Sequence, residues 1–294
     1  MTTIGLPRRR VHARAEPSVP RARRPFSALV WLGYTWMTVI ILLAVLAPIL
    51  HLPSYATPIG FPRLGPDTGS LGMLLGTDGT GRSMLSRLIY GARVSLVVGA
   101  VACLGTFVLG TLLGLIAGWF GKWLDTGIGL LTDTMLAFPG IVLLLALSAT
   151  FTPSVTTLVV GMAIMGLPQF IRLARAQTLS WSTRGFVRAA RNMGAGPWRI
   201  LFREILPNAL PPLAAYLPVV LGHIIVAEGS LSFLGLGIPP PSPSWGAMVY
   251  AGKDSLADHP HLVFIPALAI FLTVFSLNQI GDHLRNRFDR STDD

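Results

Sequence analysis

Charge is what this sequence has least of. Lys, Arg, Asp and Glu make up 12% of its 294 residues, against about 25% in a soluble domain. So few charges cannot cover a water-facing surface of this size, which makes lipid the solvent for much of it. Cysteine is nearly absent: Cys103 stands alone in an apolar run, so no intrachain disulfide forms. The chain also lacks the patterns of a catalyst. It has no H-E-x-x-H, no G-x-S-x-G, and no His, Cys or carboxylate set at ligand or triad spacing. A phosphate loop, G-x4-G-K-[ST], is missing too. Gly121-Lys122 is followed by Trp123 and has Ile116 where the first glycine belongs. These absences argue against a membrane enzyme and imply no cofactor bound by this chain.

What is there is long apolar runs. Hydrophobic residues make up 52% of the chain. A spanning helix needs about 20 mostly apolar residues, and six stretches qualify: 28–50, 93–119, 128–151, 154–171, 209–236 and 262–281. The expected fold is an all-α integral membrane domain of about six transmembrane helices. Only Thr152 and Pro153 separate the third and fourth. Ahead of the first span, seven arginines interrupted by prolines read as a disordered basic tail rather than a signal peptide. The formal charge is +10, but it lies between spans, where it sets orientation rather than nucleic-acid affinity. With the N-terminus inside, all but Arg63, Arg82, Arg87, Arg93 and Lys253 of the 23 Lys and Arg fall on the inner side. That asymmetry predicts both termini in the cytoplasm of a cell inner or plasma membrane. The expected division is a tail over 1–27, a first helix and external segment over 28–92, a core over 93–282 and a C-terminal tail over 283–294.

Span two carries a ridge of small residues, Ser95, Gly99, Cys103, Thr106, Gly110, Gly114 and Gly118. Such ridges let helix backbones approach closely, and packing within this subunit is the expected use. The connection 172–208 is richer. Phe186, Ala189, Ala190 and Met193 fall at helical spacing, and Arg184, Arg188 and Arg191 line another face. Gly194 provides a stop and Pro197 a start. Trp198, Leu201, Phe202 and Ile205 repeat the apolar spacing until Pro207 ends the second helix. Two short amphipathic helices at a corner read as a knob shaped for a partner's groove. One alone would read as an interfacial helix on lipid.

The run Arg188-Ala189-Ala190-x3-Gly194…Ile205-Leu206-Pro207 resembles the "EAA" coupling loop of ABC importer permeases. Four further blocks resemble the dipeptide, oligopeptide and nickel branch of that family, in its second-permease type. They are Leu75-Gly-Thr-Asp-Gly-Thr-Gly-Arg82 with Ser86…Leu96, then Ala137-Phe-Pro139, then Gly229…Gly237 with Pro243-Ser-Trp-Gly-Ala-Met248, and Pro266…Asp282. The resemblance implies a type I-like permease that forms half of an import channel. It implies a second homologous permease, two cytoplasmic ATPases that use ATP and Mg, and an extracytoplasmic binding protein. Phe186, Arg188, Ala189, Ala190, Gly194, Trp198, Leu206 and Pro207, within a coupling loop over 180–207, would engage the ATPase. Peptides are the implied cargo, with glutathione or nickel as alternatives. Arg188 departs from the family, which has Glu there. A guanidinium cannot accept a hydrogen bond, so the motor would present an acidic or carbonyl-lined groove, or the second permease would supply the carboxylate. Ser83 stands where related sequences often have Asp.

Ionisable groups inside spans usually face a pore or a partner. Asp133, His223 and Glu228 are the candidates for a translocation path, with a structural hydrogen bond as the other reading of Glu228 and the favoured reading of His223. Asp133 and Glu228 could also be cast as coupling sites of an ion-driven secondary transporter. Against that reading stand the missing inverted repeat and the unexplained knob.

Overall fold

The computed structural model describes residues 28–152 and 154–291. The basic tail and Pro153 lie outside that range. Among the described residues the chain is helical and has no strand, only isolated bridges that tie Pro58 to Arg82 and Thr77 to Ser83. Ten α-helices follow in order: α1 Ala28–Leu46, α2 Met84–Phe120, α3 Lys122–Ala137, α4 Gly140–Thr150, α5 Val155–Ser182, α6 Gly185–Asn192, α7 Pro197–Ile200, α8 Leu206–Phe233, α9 Trp245–Gly252 and α10 His261–Ser291. Five of the spans are long and apolar enough to cross a bilayer, and the pair α3 and α4 makes a sixth if counted as one. The protein is therefore a multi-pass membrane protein.

The structure moves several expected ends. Helix α2 begins at Met84 rather than at 93, so the expected boundary at 92 cuts a helix. Its 37 residues reach about 55 Å at 1.5 Å per residue, far beyond a ~30 Å hydrocarbon core. Helix α5 continues to Ser182 rather than ending at 171, which carries Arg172 and Arg175 into a helix. The third span is not continuous. Its two halves meet at an angle of 85°. The cause is local: the ring of Pro139 disfavours helical backbone at Phe138, which is extended at φ −92° and ψ 130°.

Pro207 does not end a helix as its sequence position suggested. A π-helical turn, Leu201–Ile205, joins α7 to α8, and Pro207 follows it directly, where the wider turn already interrupts the i→i−4 ladder that a proline would break. The two expected helices after Gly194 are one continuous rod over Pro197–Phe233.

The small-residue ridge of α2 packs within the subunit, as expected, and divides between two partners. Towards α5, a Cβ on Gly110, Gly114 or Gly118 would fall 2.6–2.7 Å from side chains of Phe170, Ala174 and Thr178. Thr106 Oγ1 donates to the Ala163 carbonyl at 2.9 Å. Towards α8, Gly99 faces Leu221 and Ile225, and Ser95 reaches Glu228. One apolar core joins α2, α4, α5 and α8, and another joins α1, α2, α8, α9 and α10.

Candidate functional site

The knob is built on a small core of its own. Val187 and Ala190 of α6, with Ile200, Leu201 and Ile205, are buried against Leu115 of α2, beside Trp119 and Trp181. Two arginines fix this register by cation–π contact. Arg191 lies 4.7 Å from the Trp119 ring and Arg184 5.2 Å from Trp181, within the ~6 Å range of such contacts. The spacing in the sequence grouped Phe186, Ala189, Ala190 and Met193 on one face, but the structure divides them. Ala190 turns inward, while Phe186, Ala189 and Met193 stay exposed, Met193 at 82%. The second set divides likewise. Leu201 and Ile205 are buried, and Trp198 stacks on Phe202 in the open, ring centroids 6.1 Å apart.

The corner is a Schellman turn. Gly194 has φ +84°, its N–H donates to the Arg191 carbonyl at 3.0 Å, and the Ala195 N–H reaches the Ala190 carbonyl at 3.0 Å. Arg188 is exposed and makes no ion pair among the described residues. Leu206 is half-buried and Pro207 exposed. The structure thus brings the eight residues expected to engage the ATPase together at one end of the bundle. Sequence spacing missed Val187 and Ile200, which anchor the knob. Four apolar residues in the run Phe186–Ala190 allow two helical faces, and the Arg191–Trp119 contact that helps choose between them joins residues far apart in the chain.

At the opposite end, the segment before α2 folds around Asp78. Its Oδ1 accepts from the Thr80 N–H, the Thr80 hydroxyl and the Arg82 N–H at 2.8–3.0 Å. Its Oδ2 meets Arg82 Nε at 2.8 Å and Arg87 Nε at 3.2 Å. Burial pushes this carboxyl up, but the Arg82 and Thr80 donors outweigh it and hold it below its ordinary value. A depressed carboxylate stabilises above its unfolded pKa and loses that stability as pH falls through the folded one. Proteolytic resistance of this loop should therefore be flat from neutral pH to about 5 and fall below about 4, the ordinary carboxylate value. Asp78→Asn should remove that acid limb. It should also cost about 3 kcal/mol or more at neutral pH, because Arg87 is left buried without its partner. An acid limb unchanged in Asp78→Asn would disprove the assignment. Ser83 also gains an account. It caps α2 by accepting from the Ser86 N–H and donates to the Gly72 carbonyl at 2.7 Å. Asp would keep the cap but could not donate when ionised.

Of the three path candidates, none adjoins another. Glu228 is 1% exposed. Its Oε1 accepts from Ser232 at 2.7 Å and its Oε2 from Ser95 at 3.1 Å. Ser232 lies 3.4 Å from Ser244, the cap of α9, and Ser95 is 3.4 Å from the Trp245 N–H. The Trp245 indole is fully buried and donates to the Leu88 carbonyl at 3.0 Å. Glu228 is thus the hub of a polar knot joining α2, α8 and α9, which is the structural-bond reading. His223 is exposed and borders a groove of about 400 Å³ with Phe138, Gln169 and Ser230. Asp133 is paired with Arg172, so the two carboxylates that a secondary transporter would need sit in separate surroundings.

This arrangement is that of an ABC importer permease: a broken-span helical bundle with a helical knob at one end. A profile described as "Binding-protein-dependent transport system inner membrane component" matches residues 110–293, and the chain belongs to that family. It is 40% identical to the dipeptide transport system permease protein DppC of Alkalihalophilus pseudofirmus over 89% of this chain and 85% of the relative. It is 41% identical to the glutathione transport system permease protein GsiD of Pectobacterium atrosepticum over 73% of this chain and 71% of the relative. A solved structure of the MetNI methionine ABC transporter in an inward facing conformation shares the fold. Its TM-score is 0.59 at 18% identity, covering 70% of this chain and 97% of that chain.

Proposed function

We propose that this permease carries short peptides, forms half of the channel with a second homologous permease, and is driven through its knob by two cytoplasmic ATPases. A binding protein delivers the solute from the other side, where the Asp78 loop and α9 lie. The observation that carries this reading is the division of the knob. One face is locked into the bundle by Val187, Ile200, Leu201 and Ile205. The rest of its surface is exposed, with Phe186, Ala189 and Met193 along one side and Arg188, which has no ion pair among the described residues, on another. An interfacial helix would give its apolar face to lipid, whereas here the apolar residues split between the core and an exposed side, with a charge on the neighbouring exposed side. Exposed aromatic, Met and Arg groups are the composition of a protein interface. The excess of Lys and Arg at this end supports a cytoplasmic knob and cytoplasmic termini.

Peptides are favoured by the relatives, one named for dipeptides and another for glutathione, itself a tripeptide. No step of ATP chemistry is assigned to this chain; ATP and Mg serve the partner ATPases. Met193→Cys tests the docking, since the natural Cys103 is buried. We expect impermeant thiol reagents to reach Cys at 193 only from the cytoplasmic side, and a short bifunctional cross-linker to join it to the ATPase. Labelling from outside, or cross-linking to nothing in the assembled complex, would contradict the assignment.

A further inference from the structure

Helix α3 is held to the bundle in an unusual way. Of its 16 residues only Thr132 is buried. Its specific ties to α5 are two ion pairs: Arg175 grips both oxygens of Asp125, its Nη2 at 2.7 Å from Oδ2, and Arg172 Nη2 meets Asp133 Oδ1 at 2.7 Å. The pairs line one cleft of about 490 Å³ between the helices. They differ in setting. Asp125 lies in the first turn of α3, at the level where α2 ends. Asp133, eight residues on from Asp125, lies about 12 Å further along the helix at 1.5 Å per residue, inside the apolar stretch 128–151. There the Arg172 and Asp133 side chains remain 59% and 69% exposed. An ionisable group inside an apolar span does not face lipid; it faces a partner or a water-filled path.

We propose that the Asp133–Arg172 pair is a solute-binding step of the translocation path, where a peptide zwitterion inserts between the two. Arg172 takes the carboxylate and Asp133 the ammonium group. The step rests on the peptide reading above. Its energetics favour exchange. One ion pair becomes two, so no charge is left unpaired at membrane depth, which would be the costly outcome. The guanidinium fork suits a carboxylate. The pair nearer the knob end, Asp125–Arg175, is the less exposed of the two and keeps α3 in place while the Asp133–Arg172 pair opens.

Gly129 reports on this site. It borders the cleft, and a Cβ there meets nothing within 4 Å, so Gly129→Cys folds. The assay is modification of that thiol by a charged methanethiosulfonate in the assembled complex, with the same complex assayed for ATP-driven dipeptide uptake. We expect a millimolar dipeptide to slow modification at least threefold, and its N-acetyl, C-amide form to do nothing. Adding Arg172→Gln should abolish protection. The swap Asp133→Arg with Arg172→Asp keeps an ion pair and should restore fold stability. It reverses which helix offers the cation, so uptake should stay impaired. Equal protection by the blocked peptide, no protection, no modification at all, or full uptake by the swap would overturn the proposal. If the natural complex takes up no dipeptide, the peptide reading fails instead.

Discussion

A permease carrying Phe186→Asp and Met193→Asp should fold, keep its own melting temperature, dock its motor weakly and lose nearly all coupled transport. Both side chains point away from the bundle, at 42% and 82% exposure, so the fold has little to lose. The proposed interface has much to lose. An aromatic anchor in a desolvated contact is worth about 2 kcal/mol or more, and a carboxylate buried in its place adds a desolvation penalty. At 1.4 kcal/mol per tenfold, uptake should fall by about 30-fold or more. ATP hydrolysis by the motor should lose its dependence on the loaded binding protein. Arg188→Ala in the same assay should impair coupling with no loss of stability. Uptake within twofold of the natural complex in both variants would remove the knob from the mechanism.

Gly114→Leu should prevent the bundle from forming. Its Cβ would lie 2.6 Å from both the Ala174 Cβ and the Ile171 carbonyl, and 2.9 Å from the Arg175 nitrogen. These are backbone and first side-chain atoms of α5, which cannot rotate aside. Overpacking a rigid core typically costs 1–3 kcal/mol, and a whole isobutyl group between touching backbones should exceed about 3 kcal/mol. The α2–α5 contact would have to open along its length, releasing the Phe170 and Thr178 contacts as well. Gly127→Ala in α3 is the control. Nothing lies within 4 Å of its Cβ, so that change should be neutral or stabilise by about 0.4–1 kcal/mol. The yield of folded complex, and its thermal unfolding where any is recovered, compared between the two variants decides it. Equal melting temperatures would refute the packing argument.

The sequence disclosed most where the physics is local or periodic. Apolar run length located every span, and the three-to-four spacing of Ser95 through Gly118 marked the ridge that the structure packs inside the subunit. Gly194 and Pro197 marked the corner because each fixes backbone geometry by itself. The break at Phe138–Pro139 was equally local. In the sequence it shows only as part of a motif, since an apolar run continues across it. Pro207 misled because a π-helical turn can carry a rod into a proline-bearing first turn. The site was legible as a set of residues but not as a surface. Whether Val187 or Phe186 faces inward depends on Trp119 and Trp181, which lie on other helices. The partners of Glu228 come from residues as distant as Ser95. The apolar run ends at Ile171, which puts Arg172 in a connection and hides its pairing with Asp133.

The most direct test of the central claim is uptake of a labelled dipeptide into vesicles holding this chain with its second permease and ATPases. Uptake should require ATP inside the compartment that holds the motor and the binding protein in the other. It should persist when ion gradients are collapsed. Gradient-driven uptake by this chain alone, without ATP or partners, would contradict the account.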